Sequence, residues 1–141
     1  MRLTRGADYG ARGIIYLARQ PMNTVVLVGE IASAEELSES YLAKIFQDLA
    51  KEGLVRSHRG AKGGFSLARP PESITLRQVI EAIEGPIAIN RCLAPWEGCD
   101  RIDTCPVYPV LARAQEQLLA VLDGATLRDL ADFDPQQQTH E

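Results

Sequence analysis

Residues 38–68 read SESYLAKIFQDLAKEGLVRSHRGAKGGFSLA, and the periodicity of this stretch changes partway along. From a cap at Ser38 or Ser40 to about Lys51, the residues Leu42, Ile45, Phe46 and Leu49 recur at i, i+3, i+4 and i+7. That spacing predicts a helix with one apolar stripe and a polar opposite face. Gly53 falls where a helix C-cap belongs. Beyond it, Leu54–His58 and Gly64–Ala68 suit strands, and Arg59-Gly60-Ala61-Lys62-Gly63 turns between them.

Working outward toward the N-terminus, residues 29–36 read as a short helix, Thr24–Leu27 as a short extended piece, and residues 4–19 as a first helix. In the first helix Ala7, Ala11, Ile14, Ile15 and Ala18 keep helical spacing, Thr4 is its cap, and Gln20-Pro21 ends it. Two short helices joined by a tight turn form the helix-turn-helix pattern, which any helical hairpin imitates. A hairpin with a basic, glycine-rich tip directly after the second helix sharpens the reading to a winged helix. Arginine suits the narrow, electronegative minor groove, and glycines let the backbone come close. The plain alternative for residues 54–68 is an ordinary surface hairpin.

Toward the C-terminus, Thr75–Ile83 forms a helix that stops at Glu84-Gly85-Pro86, and residues 86–106 have no useful periodicity. From Val107, the positions Val107, Leu111, Ala114, Leu118 and Val121 alternate steps of four and three, the seam of two packed helices. Such a seam packs either on its own domain or on a second copy. After a small DNA-binding domain, dimerisation is favoured, because paired half-sites need paired readers. Gly124 ends the helix, and Thr126–Ala131 adds a last turn. The expected organisation is a winged helix-turn-helix over 1–85, a cysteine loop over 86–106, a dimerisation helix over 107–133 and a disordered polar tail over 134–141. The class is mainly α with a small β-hairpin wing.

All three cysteines, Cys92, Cys99 and Cys105, lie in that loop, separated by six and five residues. Thiolates are preferred ligands of iron–sulfur clusters and zinc. The two-residue gap usual in structural zinc sites is missing, and wider gaps suit a bulkier cluster; Cys105-Pro106 matches the Cys-Pro that closes ferredoxin ligand runs. A thiol switch through a disulfide is the competing reading. Three thiolates leave a fourth position open, and the loop contains no histidine; His58 lies in the wing and His140 in the tail. Trp96 is placed either to shield such a site or to anchor the loop on the body.

The composition sets the outer limits. A chain of 141 residues with 45% hydrophobic and 24% charged residues is one globular domain of ordinary size. The N-terminal stretch lacks the apolar run of a secretory signal, so a cytoplasmic protein is expected, and an odd cysteine count fits a reducing compartment. Net charge is −4, but residues 1–70 carry ten Lys/Arg against seven Asp/Glu and the remainder five against twelve. That asymmetry turns the first half toward phosphates. Nothing reads as a nucleophile–base pair or a phosphate-cradling loop, so an enzyme is not expected.

Several motifs, in their order, resemble the Rrf-two family of winged-helix transcription regulators. They are Met1-Arg2-Leu3-Thr4 with Asp8-Tyr9, Ser40-Tyr41-Leu42 through Gly53-Leu54-Val55, Arg59-Gly60 with Gly63-Gly64, and the cysteine trio. The resemblance covers about residues 1–130. It implies a homodimer whose long C-terminal helices cross at the interface, a two-fold DNA operator, and an iron–sulfur cluster (4Fe-4S or 2Fe-2S) held by Cys92, Cys99 and Cys105. IscR-like members place a histidine three residues after the last cysteine, where this chain has Tyr108. NsrR-like members use an aspartate of the partner's first helix, a position that Asp8 matches. The first cysteine gap is one residue longer than in either branch. For DNA the resemblance implies Ser40 and Arg59, with Ala43 and Lys44 standing where IscR has glutamate and glutamine, so a different operator is expected. Tyr41, Lys62 and Gly63 complete the expected DNA-facing set.

Overall fold

The computed structural model describes residues 2–61, 63–94 and 96–137. Six helices and one hairpin follow in the order α1 (Arg5–Ala18), α2 (Val28–Glu35), α3 (Glu39–Lys51), β1 (Val55–His58), β2 (Gly64–Leu67), α4 (Leu76–Glu84), α5 (Tyr108–Gly124) and α6 (Leu127–Ala131). The fold is mainly helical with a two-stranded wing, as the periodicities predict.

Local chemistry explains where the helices begin. Thr4 Oγ1 accepts the Ala7 N–H at 3.1 Å, satisfying one of the donors left open in the first turn of α1. Ser38, rather than Ser40, caps α3. Thr75 and Gln78 form a reciprocal capping box at α4, and Thr126 and Asp129 form another at α6. Between α2 and α3 the chain turns through Glu36 in the left-handed region, φ 57°, and Leu37 N–H reaches back to Ala32 O at 2.8 Å.

The stripe read on α3 is the centre of the core. Leu42, Phe46 and Leu49 are wholly buried and Ile45 nearly so, against Ile14 and Leu17 of α1, Ile31 of α2 and Val79 of α4. Burying each such side chain favours folding by about 1.5–3 kcal/mol. The wing is fastened to this core by Phe65, whose ring centroid lies 5.1 Å from that of Phe46. β1 and β2 pair antiparallel with Val55 opposite Leu67 and His58 opposite Gly64. The extended piece before α2 joins them. Val26 N–H donates to Phe65 O and Phe65 N–H to Val26 O, both at 2.9 Å.

The long helix α5 has no buried residue. Of the expected seam, Val107, Ala114 and Val121 are exposed, whereas Leu111 and Leu118 are half-buried and turned inward. After α5 the chain returns to the body. Leu76 N–H donates to Ala125 O at 2.8 Å and Leu127 N–H to Ile74 O at 2.9 Å, and Leu127 is wholly buried in the core. The stretch 107–133 therefore both projects outward and closes the helical body. Pro135–Gln137 forms a 3-10 turn inside the expected disordered tail; residues 138–141 lie outside the described residues. No helix among the described residues is long and apolar enough to cross a membrane.

Candidate functional site

Burying Leu42, Ile45, Phe46 and Leu49 leaves the opposite side of α3 open. Ser40, Tyr41 and Lys44 are exposed there, and Ala43 is half-buried beside them. Gln47 and Lys51 continue the outward stripe; both escaped the expected set, although the same 3.6-residue period that located the core places them. Tyr41 does more than face outward. Its ring meets that of Tyr9 edge-on, with centroids 5.6 Å apart and planes at 78°, so the first turn of α3 rests on the first turn of α1.

In the wing, Arg56, Ser57, His58 and Arg59 are all exposed. His58 Nε2 and Ser66 Oγ share a hydrogen bond of 2.8 Å diagonally across the strands, which makes His58 a strand-pairing residue and satisfies the buried Ser66. Gly63 is buried in the turn itself. Its N–H donates to Gly60 O at 2.9 Å, and a Cβ there would lie 2.6 Å from His58 O. Gly63 thus shapes the tip that carries Arg59. Lys62 lies outside the described residues.

The three cysteines come together around one cavity. Cys92, Cys99 and Cys105 line an open hollow of about 720 Å³, together with Arg91, Glu97, Arg101 and Tyr108. Cys99 is exposed, Cys92 and Cys105 are half-buried, and all three are free thiols. Asn90 Nδ2 lies 3.9 Å from Cys92 Sγ. Among the described residues, no three His, Cys, Asp or Glu side chains converge tightly enough to hold a single metal ion. A multi-iron cluster does not demand one point of convergence, and three soft thiolates in one hollow fit its ligand type. One expectation is corrected. Trp96 is 57% exposed and outside the cavity lining, so in the single chain it neither shields the cysteines nor anchors the loop. The cavity also carries guanidinium groups, Arg91 and Arg101, that the cysteine spacing alone did not indicate.

Asp8 stands apart from this hollow. It sits in the first turn of α1 and pairs with Arg12 at 3.3 Å, with about half of each side chain open to solvent. Within one chain Asp8 is not among the residues that line the cysteine cavity.

An exposed polar face on the second helix of a helix-turn-helix, followed by a wing carrying Arg56 and Arg59, defines the class of DNA-binding transcription regulators. The comparisons narrow the class. The sequence matches the Rrf2 family, described as an iron-dependent transcriptional regulator, over residues 3–132. Protein aau3 of Rhizobium meliloti is 36% identical over 137 residues, covering 96% of this chain and 88% of its own. The structure of CymR, the global cysteine regulator of B. subtilis, is 30% identical over 95% of this chain and 98% of its own, with a TM-score of 0.73. An oxidized form of Staphylococcus aureus CymR gives 30%, the same coverage and 0.74. T. potens IscR is 29% identical, covers 100% of this chain and 94% of its own, and has a TM-score of 0.76. The chain belongs to the Rrf2 (Rrf-two) family and is a transcriptional regulator.

Proposed function

We propose that the chain works in the cytoplasm as a homodimeric, non-enzymatic repressor that reports nitric oxide, iron–sulfur supply or redox stress. The sensor is an iron–sulfur cluster held by Cys92, Cys99 and Cys105, with Asp8 of the partner subunit as the fourth ligand. One observation carries this reading: the three thiols line one hollow, and that hollow lies apart from the DNA-reading face. The carboxylate fits a sensing role because oxygen is a weak, exchangeable ligand beside thiolates. When bound, the cluster would supply a reactive centre that small oxidants and nitric oxide can alter.

This chain's own residues supply the rest. The three cysteines fix the loop over 86–106, and Asp8 would tie α1 of one subunit to the loop of the other. Because Tyr9 rests on Tyr41, a shift of the Asp8 end of α1 bears directly on the first turn of α3. Ser40, Tyr41, Ala43 and Lys44 would read the major groove, and Arg59, Lys62 and Gly63 would set the wing against the minor groove. The exposed apolar residues Val110 and Val121 of α5, with Val107 just before it, would meet a second copy. With Asp8 released, the spacing of the two reading heads changes and affinity for a two-fold operator falls.

Metal-free thiol sensing is the second reading, favoured by the exposure of Cys99 and by the similarity to CymR in an oxidized form. Anaerobic purification with iron, acid-labile sulfide and visible absorption separates the two. The first reading expects iron and sulfide, with a spectrum altered in Asp8→Ala. A colourless protein that resists reconstitution, yet loses operator affinity on oxidation, would establish the second.

A further inference from the structure

The segment that leads from α4 to the first cysteine is held by backbone amides. Glu81 divides its carboxylate between two partners. Oε1 accepts from Arg77 Nε at 2.7 Å, and Oε2 accepts the N–H of Ile87 at 3.0 Å. Arg77 also donates through Nη1 to Asp123 Oδ2, 2.9 Å away near the end of α5. Two residues past Ile87, the N–H of Ile89 donates to Gln115 Oε1 of α5 at 2.9 Å. Asn90 and Cys92, both lining the cysteine cavity, follow at once.

The same helix α4 reaches the reading head from its other side. Val79 and Ile80 are buried, and α4 packs on both α1 and α3. Stability alone is a weak reason for the arrangement around Glu81. Ion pairs that keep a quarter or more of each side chain in water, as Arg77, Glu81 and Asp123 do, add little to folding. Geometry gives a stronger one, since a single carboxylate joins the root of the cysteine loop, α4 and, through Arg77, α5.

We propose that Glu81 is the positioning residue that couples the cysteine cavity to the DNA-reading face, by making the loop root, α4 and α5 move as one body. This rests on the regulator reading above, and holds whether the thiols bind a cluster or are oxidised directly. Coupling between two sites is reciprocal, so occupancy of the reading face must change the behaviour of the thiols.

The test uses the full chain, reduced and stripped of metal by a chelator, with a DNA duplex that the same protein has selected from a random-sequence library. The readout is the rate of thiol labelling by dithiobis(nitrobenzoate), with and without saturating duplex. In the parent protein the duplex is expected to change the rate by about fivefold or more, the lower end of ordinary allosteric coupling. In Glu81→Gln the ratio is expected to fall to near one, with duplex affinity and melting temperature near the parent's. The amide keeps the side chain's size, but its NH2 must replace one of the two oxygens and there meets a donor, so it cannot serve Arg77 and Ile87 as the carboxylate does. Should that variant fail to fold, Gln115→Leu, which frees Ile89 from α5, is expected to lower the ratio in the same way. A parent-like ratio in the folded variants, or a ratio near one in the parent, overturns the proposal. Failure to select any duplex removes the DNA-binding reading itself, and this coupling with it.

Discussion

Replacing Gly64 by alanine places a methyl group where the backbone of the wing leaves no room. Gly64 has φ +149°, and a Cβ built on it overlaps the Val26 carbonyl oxygen and comes 2.7 Å from the Val26 carbonyl carbon. These are main-chain atoms, so no side-chain rotation relieves the clash. The chain must give up the bridge between Val26 and Phe65, with its two hydrogen bonds of 2.9 Å, or hold alanine in a strained conformation. Two such bonds contribute about 1–3 kcal/mol net, and the strain costs about 1–3 kcal/mol. The expected loss, whichever route the chain takes, is therefore about 1–3 kcal/mol, a fall in Tm of about 3–12 °C at this chain length. Urea denaturation followed by circular dichroism measures it. Gly124→Ala is the control, because nothing beyond its neighbours and its own helix lies within 4 Å of the added Cβ; at the end of α5 it should leave stability unchanged or raise it by up to about 1 kcal/mol. If Gly64→Ala is as stable as the control, the wing is not anchored through Val26.

Other consequences are open to measurement. Arg59→Ala should weaken binding to a selected duplex by about 1–3 kcal/mol if it reads the groove, and affinity should fall steeply with added salt; equal binding by parent and variant would remove the wing from recognition. Val121 is 70% exposed in the single chain, so Val121→Glu should yield monomers in sedimentation, with a Tm lower than the parent's and independent of protein concentration. The Arg128 guanidinium, 2.8 Å from Glu72, holds that carboxyl below its ordinary value of 4.5. The pair's contribution is therefore complete above that pH and is lost as pH falls through the folded value. The difference in Tm between parent and Glu72→Gln should shrink accordingly between pH 6 and pH 3, and a constant difference would contradict the pairing.

Legibility in the sequence followed the range of the interactions. Leu42, Ile45, Phe46 and Leu49 were readable because a helix long enough to show its period carries them, and the wing was readable because its turn chemistry is local. The bond between Val26 and Phe65 was not, since an extended piece of four residues does not name its partner. Leu127 was missed for the same reason, as α6 is too short for a periodic stripe and its burial depends on Ile74, far away in the chain. At the site, the cysteines announced their own chemistry. What joins them to the rest of the molecule, Glu81 and Gln115 accepting backbone amides, left no trace in spacing, because a carboxylate or amide on a helix usually faces water.

The bridge at Thr75 and Thr126 gives the chain a neck. Past α4, which packs in the core, the cysteine loop and the long helix form an excursion that returns to the body at this pairing. The entropy of closing a loop grows only with the logarithm of its length, about 0.6 kcal/mol for each doubling. Residues can thus be added to or removed from the excursion at little cost to the folded body. The cysteine segment can thereby vary in length while the helical body keeps its shape.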